Sequence, residues 1–137
     1  MHELVTHEDI SLPADAVWAV IGDFVRIDKW AKLVTEAKLE EMPEGKFRVL
    51  TLQNGQSFRE RLVDQGPHHY TYTLPRAGMK TYLSTVSVKP VSDNSSRIEL
   101  IIRFELEDEA SLDEQTAQMS AFCRSNLKAM KRALGLA

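Results

Sequence analysis

The sequence has little of what marks secreted and membrane proteins. It contains a single cysteine, Cys123, so no disulfide bond can form within one chain. No stretch approaches the roughly 18 continuous apolar residues that a membrane-spanning helix needs. The N-terminus lacks a basic segment followed by an apolar run, so we expect no signal peptide. These absences predict a cytoplasmic protein without a membrane span.

Neither charge of one sign nor metal-ligating residues are concentrated in the chain. The 17 basic and 20 acidic residues give a net charge of −3, and neither sign forms a long block. Proteins that bind nucleic acid carry clustered Lys and Arg, so we expect no nucleic-acid partner. The histidines (His2, His7, His68 and His69) lack metal-ligand spacing, and no glycine-rich phosphate loop or paired-cysteine motif occurs. We therefore expect no metal site and no cofactor.

A long amphipathic helix is predicted from Ser111 to Gly135. Its apolar stripe consists of Leu112, Met119, Phe122, Cys123, Leu127, Met130 and Leu134. Ser111 and Glu114 have the spacing of a capping box, and Gly135 suits a left-handed residue that ends the helix. Because a single helix cannot bury its stripe against itself, we expect it to lie across a sheet.

The rest of the 137-residue chain is predicted to form mainly strands within one domain, residues 1–137. A first strand (His2–Leu12) is followed by two short helices (Ala14–Ile21 and Asp23–Trp30) and by a second strand (Leu33–Leu39). Five further strands, rich in β-branched and aromatic residues, are Lys46–Leu52, Ser57–Asp64, His69–Leu74, Thr81–Lys89 and Arg97–Leu106. Antiparallel strands with segregated helices indicate an α+β fold.

Alternation along each strand separates the side chains that face the helix from those that face solvent. On the last strand, Arg97–Leu106, the inward side chains are Ile98, Leu100, Ile102, Phe104 and Leu106. On Thr81–Lys89 they are Tyr82, Ser84, Val86 and Val88, and on His69–Leu74 they are Tyr70, Tyr72 and Leu74. On the strand that begins at Ser57, the inward set is Phe58, Glu60 and Leu62. This pattern places one carboxylate inside, which makes Glu60 its most unusual member.

The register of the strand Lys46–Leu52 depends on the turn that follows it. A two-residue turn at Asn54-Gly55 would direct the odd-numbered side chains inward. A three-residue turn with Gly55 in the left-handed conformation would direct the even-numbered ones inward, beginning with Arg48. We favour the three-residue turn, because a buried Glu60 without a partner would be very costly and Arg48 would supply that partner.

Several short motifs occur in an order that resembles a known superfamily. They are Pro13 with Val17-Trp18, Asp23-Phe24 with Trp30, Gly45 with Arg48, Gly55, Glu60-Arg61-Leu62, and Tyr82 through Thr85. In their order and spacing the chain resembles the START/Bet v 1-like (SRPBCC) helix-grip superfamily, specifically small bacterial proteins of the polyketide cyclase/dehydrase type, and is distantly similar to plant abscisic-acid receptors. The resemblance implies a curved seven-stranded antiparallel sheet wrapped around the long C-terminal helix, with two short helices after the first strand.

The resemblance also implies a cavity between sheet and helix that binds a small hydrophobic ligand, such as a lipid, a polyketide or an aromatic metabolite. The predicted ligand-binding residues are Arg48, Leu50, Leu52, Glu60, Tyr72, Tyr82, Ser84, Ile102, Met119, Cys123 and Met130. Arg48 and Glu60 would be the polar anchors of an otherwise apolar and aromatic site. We expect a monomer or a homodimer.

Two alternatives remain open. No sequence motif identifies a catalytic residue, so the roles below rest on the predicted positions alone. In an enzyme of the cyclase, dehydratase or aromatase type, Arg48 would polarise a carbonyl while Glu60 or a tyrosine moved protons. In a filled core, the Arg48–Glu60 pair would be an internal salt bridge with a structural role only. Trp30 would cover one end of the grip, either as a gate for the ligand or as a cap on the core.

Overall fold

A computed structural model describes residues 1–136. These residues form one seven-stranded antiparallel sheet and two α-helices. The elements are β1 (His2–Ile10), α1 (Ala14–Ile21), a short 3-10 helix (Ile27–Lys29), β2 (Val34–Met42), β3 (Gly45–Leu52), β4 (Ser57–Gly66), β5 (His69–Thr73), β6 (Met79–Ser92), β7 (Ser95–Leu106), a second 3-10 helix (Glu109–Ser111) and α2 (Leu112–Ala133). The strands lie in the order β1-β7-β6-β5-β4-β3-β2. The predicted α+β helix-grip fold is confirmed.

The second short helix predicted after β1 is wrong in extent. Only Ile27–Lys29 is helical, as a single 3-10 turn. The carboxylate of Asp23 accepts hydrogen bonds from the backbone N–H groups of Val25 and Arg26, at 3.0 and 3.1 Å. These bonds resemble those of a helix N-cap, but Arg26 has φ −84° and ψ +46°, which lies outside the helical region, so no helix continues from Asp23.

The predicted capping box of α2 is also wrong, whereas its predicted end is confirmed. The Ser111 hydroxyl donates to the backbone carbonyl of Asp108 at 2.7 Å and caps no α2 amide. Gly135 has a φ of +80°. Its N–H donates to the carbonyl of Arg132 at 3.0 Å, and the N–H of Leu136 donates to that of Lys131 at 2.8 Å. This pair of bonds is a Schellman motif, which satisfies carbonyls at the helix end.

The turn between β3 and β4 has the three-residue form that we favoured. The N–H of Leu52 donates to the carbonyl of Gln56 at 2.8 Å, and Gly55 has a φ of +86°. This register places Arg48 directly opposite Glu60. Both side chains are buried on the face of the sheet that bears the core.

The inward sets of β6 and β7 are buried as predicted, together with Tyr70 and Tyr72 of β5. Two aromatic residues that we placed inward are instead exposed, Phe58 by 38% and Phe122 by 47%. Helix α2 makes its closest backbone approach to β1 and β7. Phe58 lies in the hairpin formed by β3 and β4, several strands away in the sheet, so α2 does not cover it. Phe122 lies off the buried stripe because adjacent helical residues point about 100° apart.

The stripe that α2 buries consists of Met119, Cys123, Leu127 and Met130. Trp30 is buried within the same core cluster, and its role as a gate or as a cap stays a prediction. Across residues 1–136, the helices are too short or too polar for any of them to traverse a lipid bilayer.

Candidate functional site

The most unusual feature of the interior is an ion pair between Arg48 and Glu60. The Nε of Arg48 donates to Oε1 of Glu60 at 2.7 Å. The side chains are 1% and 11% exposed, so the pair is almost completely withdrawn from water. Charges are buried in proteins only when they are paired and hydrogen-bonded. The pair therefore favours the register of β3 and β4 that places these two residues opposite each other.

Further protein groups occupy the Arg48 guanidinium. Its Nη1 donates to the backbone carbonyl of Phe24 at 2.8 Å and to the hydroxyl of Tyr70 at 3.3 Å. The guanidinium carbon also lies 4.6, 5.4 and 4.4 Å from the ring centroids of Phe24, Tyr70 and Tyr72. Such stacking adds cation–π attraction to the hydrogen bonds. Arg48 therefore joins the sheet to the segment between α1 and the 3-10 helix.

The protonation of Arg48 follows from these contacts. Burial alone would lower its pKa, but Tyr70 and Glu60 outweigh burial and hold the pKa above its usual value. The guanidinium is therefore positively charged at any physiological pH. Because its donors face protein acceptors, Arg48 is better arranged to hold its neighbours in place than to polarise a ligand.

A second group of polar side chains lies on the same face of β5 and β6. Tyr72 is directly opposite Ser84, and Tyr82 is two residues from Ser84 on the same strand face. Burial raises the pKa of both tyrosines; the nearby Arg76 charge and Ser84 hydroxyl offset the rise for Tyr82, and Ser84 offsets it for Tyr72, only in part. The two phenols are therefore neutral and can either donate or accept a hydrogen bond.

The helix supplies an apolar wall. Met119, Cys123 and Met130 are buried on α2. Burial raises the pKa of the Cys123 thiol, an effect that the nearby Thr6 side chain opposes. A buried thiol with a raised pKa has little thiolate and is a poor nucleophile. Flexible methionines suit irregular apolar surfaces, so the chemistry of this wall is packing.

One side chain near this group was missed from the sequence. Arg76 lies in the segment between β5 and β6, and its guanidinium carbon is 4.8 Å from the centroid of the Tyr82 ring. Its positive charge also acts on Cys123, whose pKa it lowers against the effect of burial. Strand alternation does not predict where a loop side chain points, so no sequence pattern identified Arg76.

The predicted site residues all come from elements that bound the interior. Their elements are β3 (Arg48, Leu50, Leu52), β4 (Glu60), β5 (Tyr72), β6 (Tyr82, Ser84), β7 (Ile102) and α2 (Met119, Cys123, Met130). Leu52 is partly exposed and the others are buried. The structure divides the polar members into the Arg48–Glu60 pair and the Tyr72–Tyr82–Ser84 group. A role for any of them in binding stays a prediction.

The sheet order, the C-terminal helix and the polar groups between them define a class of protein. This arrangement is the helix-grip domain of the START/Bet v 1 superfamily. A family model described as "Polyketide cyclase / dehydrase and lipid transport" matches residues 1–135. The chain belongs to this family.

Solved structures show the same fold in proteins of different activity. XoxI from Bacillus cereus is 28% identical with a TM-score of 0.78, over 98% of this chain and 96% of that one. The di-domain ARO/CYC BexL from the BE-7585A biosynthetic pathway is 15% identical with a TM-score of 0.83, over 98% of this chain and 47% of that one. Norcoclaurine synthase from Thalictrum flavum is 15% identical with a TM-score of 0.68, over 97% and 83%. No curated protein matches the sequence.

Proposed function

We propose that the protein binds a small hydrophobic molecule, such as a lipid, a polyketide or an aromatic metabolite, between the sheet and α2. The observation that carries the proposal is the group formed by Tyr72, Tyr82 and Ser84, which offers neutral hydrogen-bonding atoms on an inner face that is largely apolar outside the Arg48–Glu60 pair. Ligand pockets commonly combine apolar walls with a few polar groups that fix orientation. A carbonyl or hydroxyl of the ligand would pair with these three side chains.

Arg48 and Glu60 remain part of the proposed site, with a supporting role. The donors of Arg48 face Glu60, the Phe24 carbonyl and Tyr70. It would therefore lie behind the binding surface and hold the ring of Tyr72, 4.4 Å from its guanidinium, in position for the ligand. Met119, Cys123 and Met130 would form the opposite wall, together with Ile102, Leu50 and Leu52 from the sheet.

Native mass spectrometry of the purified protein, compared with the denatured sample, tests for a bound molecule. A small molecule that appears only in the native spectrum would support the proposal and identify the ligand class. Its binding should weaken in Tyr82→Phe and in Ser84→Ala. Ser87→Ala is the matched control, because Ser87 lies on the same strand but on the opposite face. Equal affinity in all three variants would refute the proposed site.

An alternative is an enzyme of the cyclase, dehydratase or aromatase type. The family description supports it, and so does the name of BexL, although that likeness is one of fold alone. Arg48 would polarise a carbonyl, and Glu60 or one of the tyrosines would move a proton. The raised pKa values of Tyr72 and Tyr82 make both phenols weak acids, which favours binding over proton transfer.

Turnover of a polyketide substrate separates the two functions. If Glu60 carries the proton, Glu60→Gln should abolish turnover while ligand binding persists. Full turnover in that variant would exclude Glu60 as the proton carrier.

For either function we propose a monomer or a homodimer in the cytoplasm, with no nucleic-acid partner.

A further inference from the structure

A groove of about 770 Å³ lies at the β3–β6 part of the sheet and opens on the face turned away from α2. We call it the outer groove. Phe47, Arg61 and Thr73 form one cross-strand row in it, because Arg61 pairs with Phe47 on one side and with Thr73 on the other. Alternation directs this row away from the buried Arg48 and Tyr72. The segment that carries Leu74, Pro75 and Arg76 closes one end of the groove.

Two β-bulges contribute to the outer groove. On β4, Leu62 pairs with Tyr72 and Asp64 with Thr71, which leaves Val63 as an extra residue. On β6, Met79 pairs with Leu106 and Thr81 pairs with Glu105, which leaves Lys80 as an extra residue. Both extra residues line the groove. Bulges bend a strand and redirect a side chain, and they are over-represented beside functional sites.

The charge of the outer groove is opposite to that of the whole chain. Four basic side chains line it with one carboxylate, Glu107, although the protein carries a net charge of −3. Arg59 is neutralised by Glu40, at 2.6 Å. Among residues 1–136, the other three basic side chains, Arg61, Arg76 and Lys80, have no carboxylate in ion-pairing distance.

The outer groove also has apolar walls. Phe47, Val63, Leu74, Pro75 and Leu83 line it between the basic side chains. Its volume lies within the range of about 300–1,000 Å³ that is usual for small-molecule sites. A neutral apolar ligand would leave the cations unpaired, and a small inorganic anion would leave the apolar walls uncovered. The lining is complementary to a molecule that carries both features.

We propose that the outer groove is a second binding site, which takes an organic anion with an aromatic or aliphatic body. Arg61 and Lys80 would pair with its carboxylate or phosphate, while Val63 and Leu83 contact its apolar part. Tyr82 and Arg76 lie where the groove meets the inner site, so that end is the only part the two sites share. The proposal does not depend on the inner site holding a ligand.

The test uses three probes of one shape: 1-naphthoate, 1-naphthyl phosphate and neutral 1-naphthalenemethanol. Each is titrated into the ¹⁵N-labelled protein while amide chemical shifts are recorded by NMR. Both anions should shift the amides of Val63, Lys80 and Leu83 in a saturable way, and the tighter of the two identifies the preferred head group. The neutral probe should leave these amides unchanged. Higher salt should weaken the binding of both anions.

Charge-removing variants complete the test. Lys80→Gln and Arg61→Gln should each weaken binding of the anions about two- to fivefold, the loss expected when one partner of a solvent-exposed ion pair is removed. The matched control is Lys89→Gln on β6, which lies outside the groove lining and should bind normally. Lys80 is exposed, so its variant keeps the fold even if Arg61→Gln does not.

Three outcomes would overturn the proposal. The first is a set of shifts confined to interior residues such as Ile102 and Met119, which would place the anions in the inner site. The second is equal binding of the neutral probe in the outer groove. The third is equal affinity in Lys80→Gln and Lys89→Gln. The first outcome would support the inner site, and the other two say nothing about it, so the two proposals can fail separately.

Discussion

Replacing Arg48 by methionine should destabilise the fold more than replacing any exposed arginine. Methionine is apolar and flexible enough to occupy much of the same space. The change leaves Glu60 buried without its partner and leaves the Phe24 carbonyl without the donor that now lies at 2.8 Å. The change therefore combines the cost of an uncompensated charge with that of an unsatisfied carbonyl, which the double variant described below separates.

The magnitude follows from the burial of the pair. Breaking a buried ion pair by removing one partner costs about 3–5 kcal/mol, because a charge stays in the interior uncompensated. Domains of this size have free energies of unfolding of about 5–15 kcal/mol, so the variant should lose roughly a fifth or more of its stability. Glu60→Gln keeps an acceptor oxygen for Arg48 and should cost less, about 1–3 kcal/mol.

Urea unfolding followed by circular dichroism measures these free energies. Arg59→Met is the matched control, because Arg59 pairs with Glu40 at 2.6 Å but both side chains are more than 40% exposed. Exposed pairs contribute about 0–1 kcal/mol, so the control should unfold close to the wild type. The double variant of Arg48→Met with Glu60→Gln should be more stable than Arg48→Met alone.

A loss below about 1 kcal/mol in Arg48→Met, with an unchanged urea dependence, would refute this reasoning. It would mean that Glu60 finds water or another partner without cost. Equal losses in Arg48→Met and Arg59→Met would lead to the same conclusion. A double variant less stable than Arg48→Met would show that the missing Phe24 and Tyr70 contacts, rather than the unpaired Glu60, account for the loss.

Three further predictions concern the core. Because burial raises the pKa of Cys123, iodoacetamide should label it slowly at pH 7.5 and much faster in urea; equal rates would contradict its burial. The pKa of Tyr72 in the folded state lies above its usual 10.0. Above about pH 10 the phenol therefore loses its proton in the unfolded state but keeps it in the folded state, so the free energy of unfolding should fall as pH rises past about 10. Urea midpoints across that range should fall less steeply in Tyr72→Phe. Met119→Ala should cost about 2–5 kcal/mol and Phe122→Ala under about 1 kcal/mol, and urea unfolding that gave the reverse order would refute the assigned helix face.

Strand alternation predicted the sheet and its buried pair because these follow from local rules. A side-chain period of two assigns faces, and a buried carboxylate needs a partner, so Glu60 was sufficient to choose the turn at Gly55 and to predict Arg48 opposite. The end of α2 was predictable for a similar reason. A left-handed residue at that position is usually glycine, and Gly135 was the only candidate nearby.

The errors lie where several arrangements satisfy the same local rule. Asp23 could have started a helix and Ser111 could have capped the first amides of α2, but both side chains instead bind backbone groups in turns. Phe58 has the inward parity of its strand, but the position of α2 above the sheet decides whether it is covered. The bulges at Val63 and Lys80 leave no mark in the hydrophobic pattern. Arg76, in a loop, has no period to predict its direction.

The pairing of β1 with β7 has a consequence for synthesis of the chain. Strand β1 lies at an edge of the sheet, and β7 is its only neighbour, with His2 opposite Phe104. At typical translation rates of ~5–20 residues per second, roughly 100 residues take ~5–20 s, during which β1 has no strand to pair with. The sheet can therefore close only after β7 has left the ribosome. A nascent chain that stalls before β7 would present an unpaired strand with Leu4 and Ile10 exposed, which makes it a substrate for chaperones and proteases.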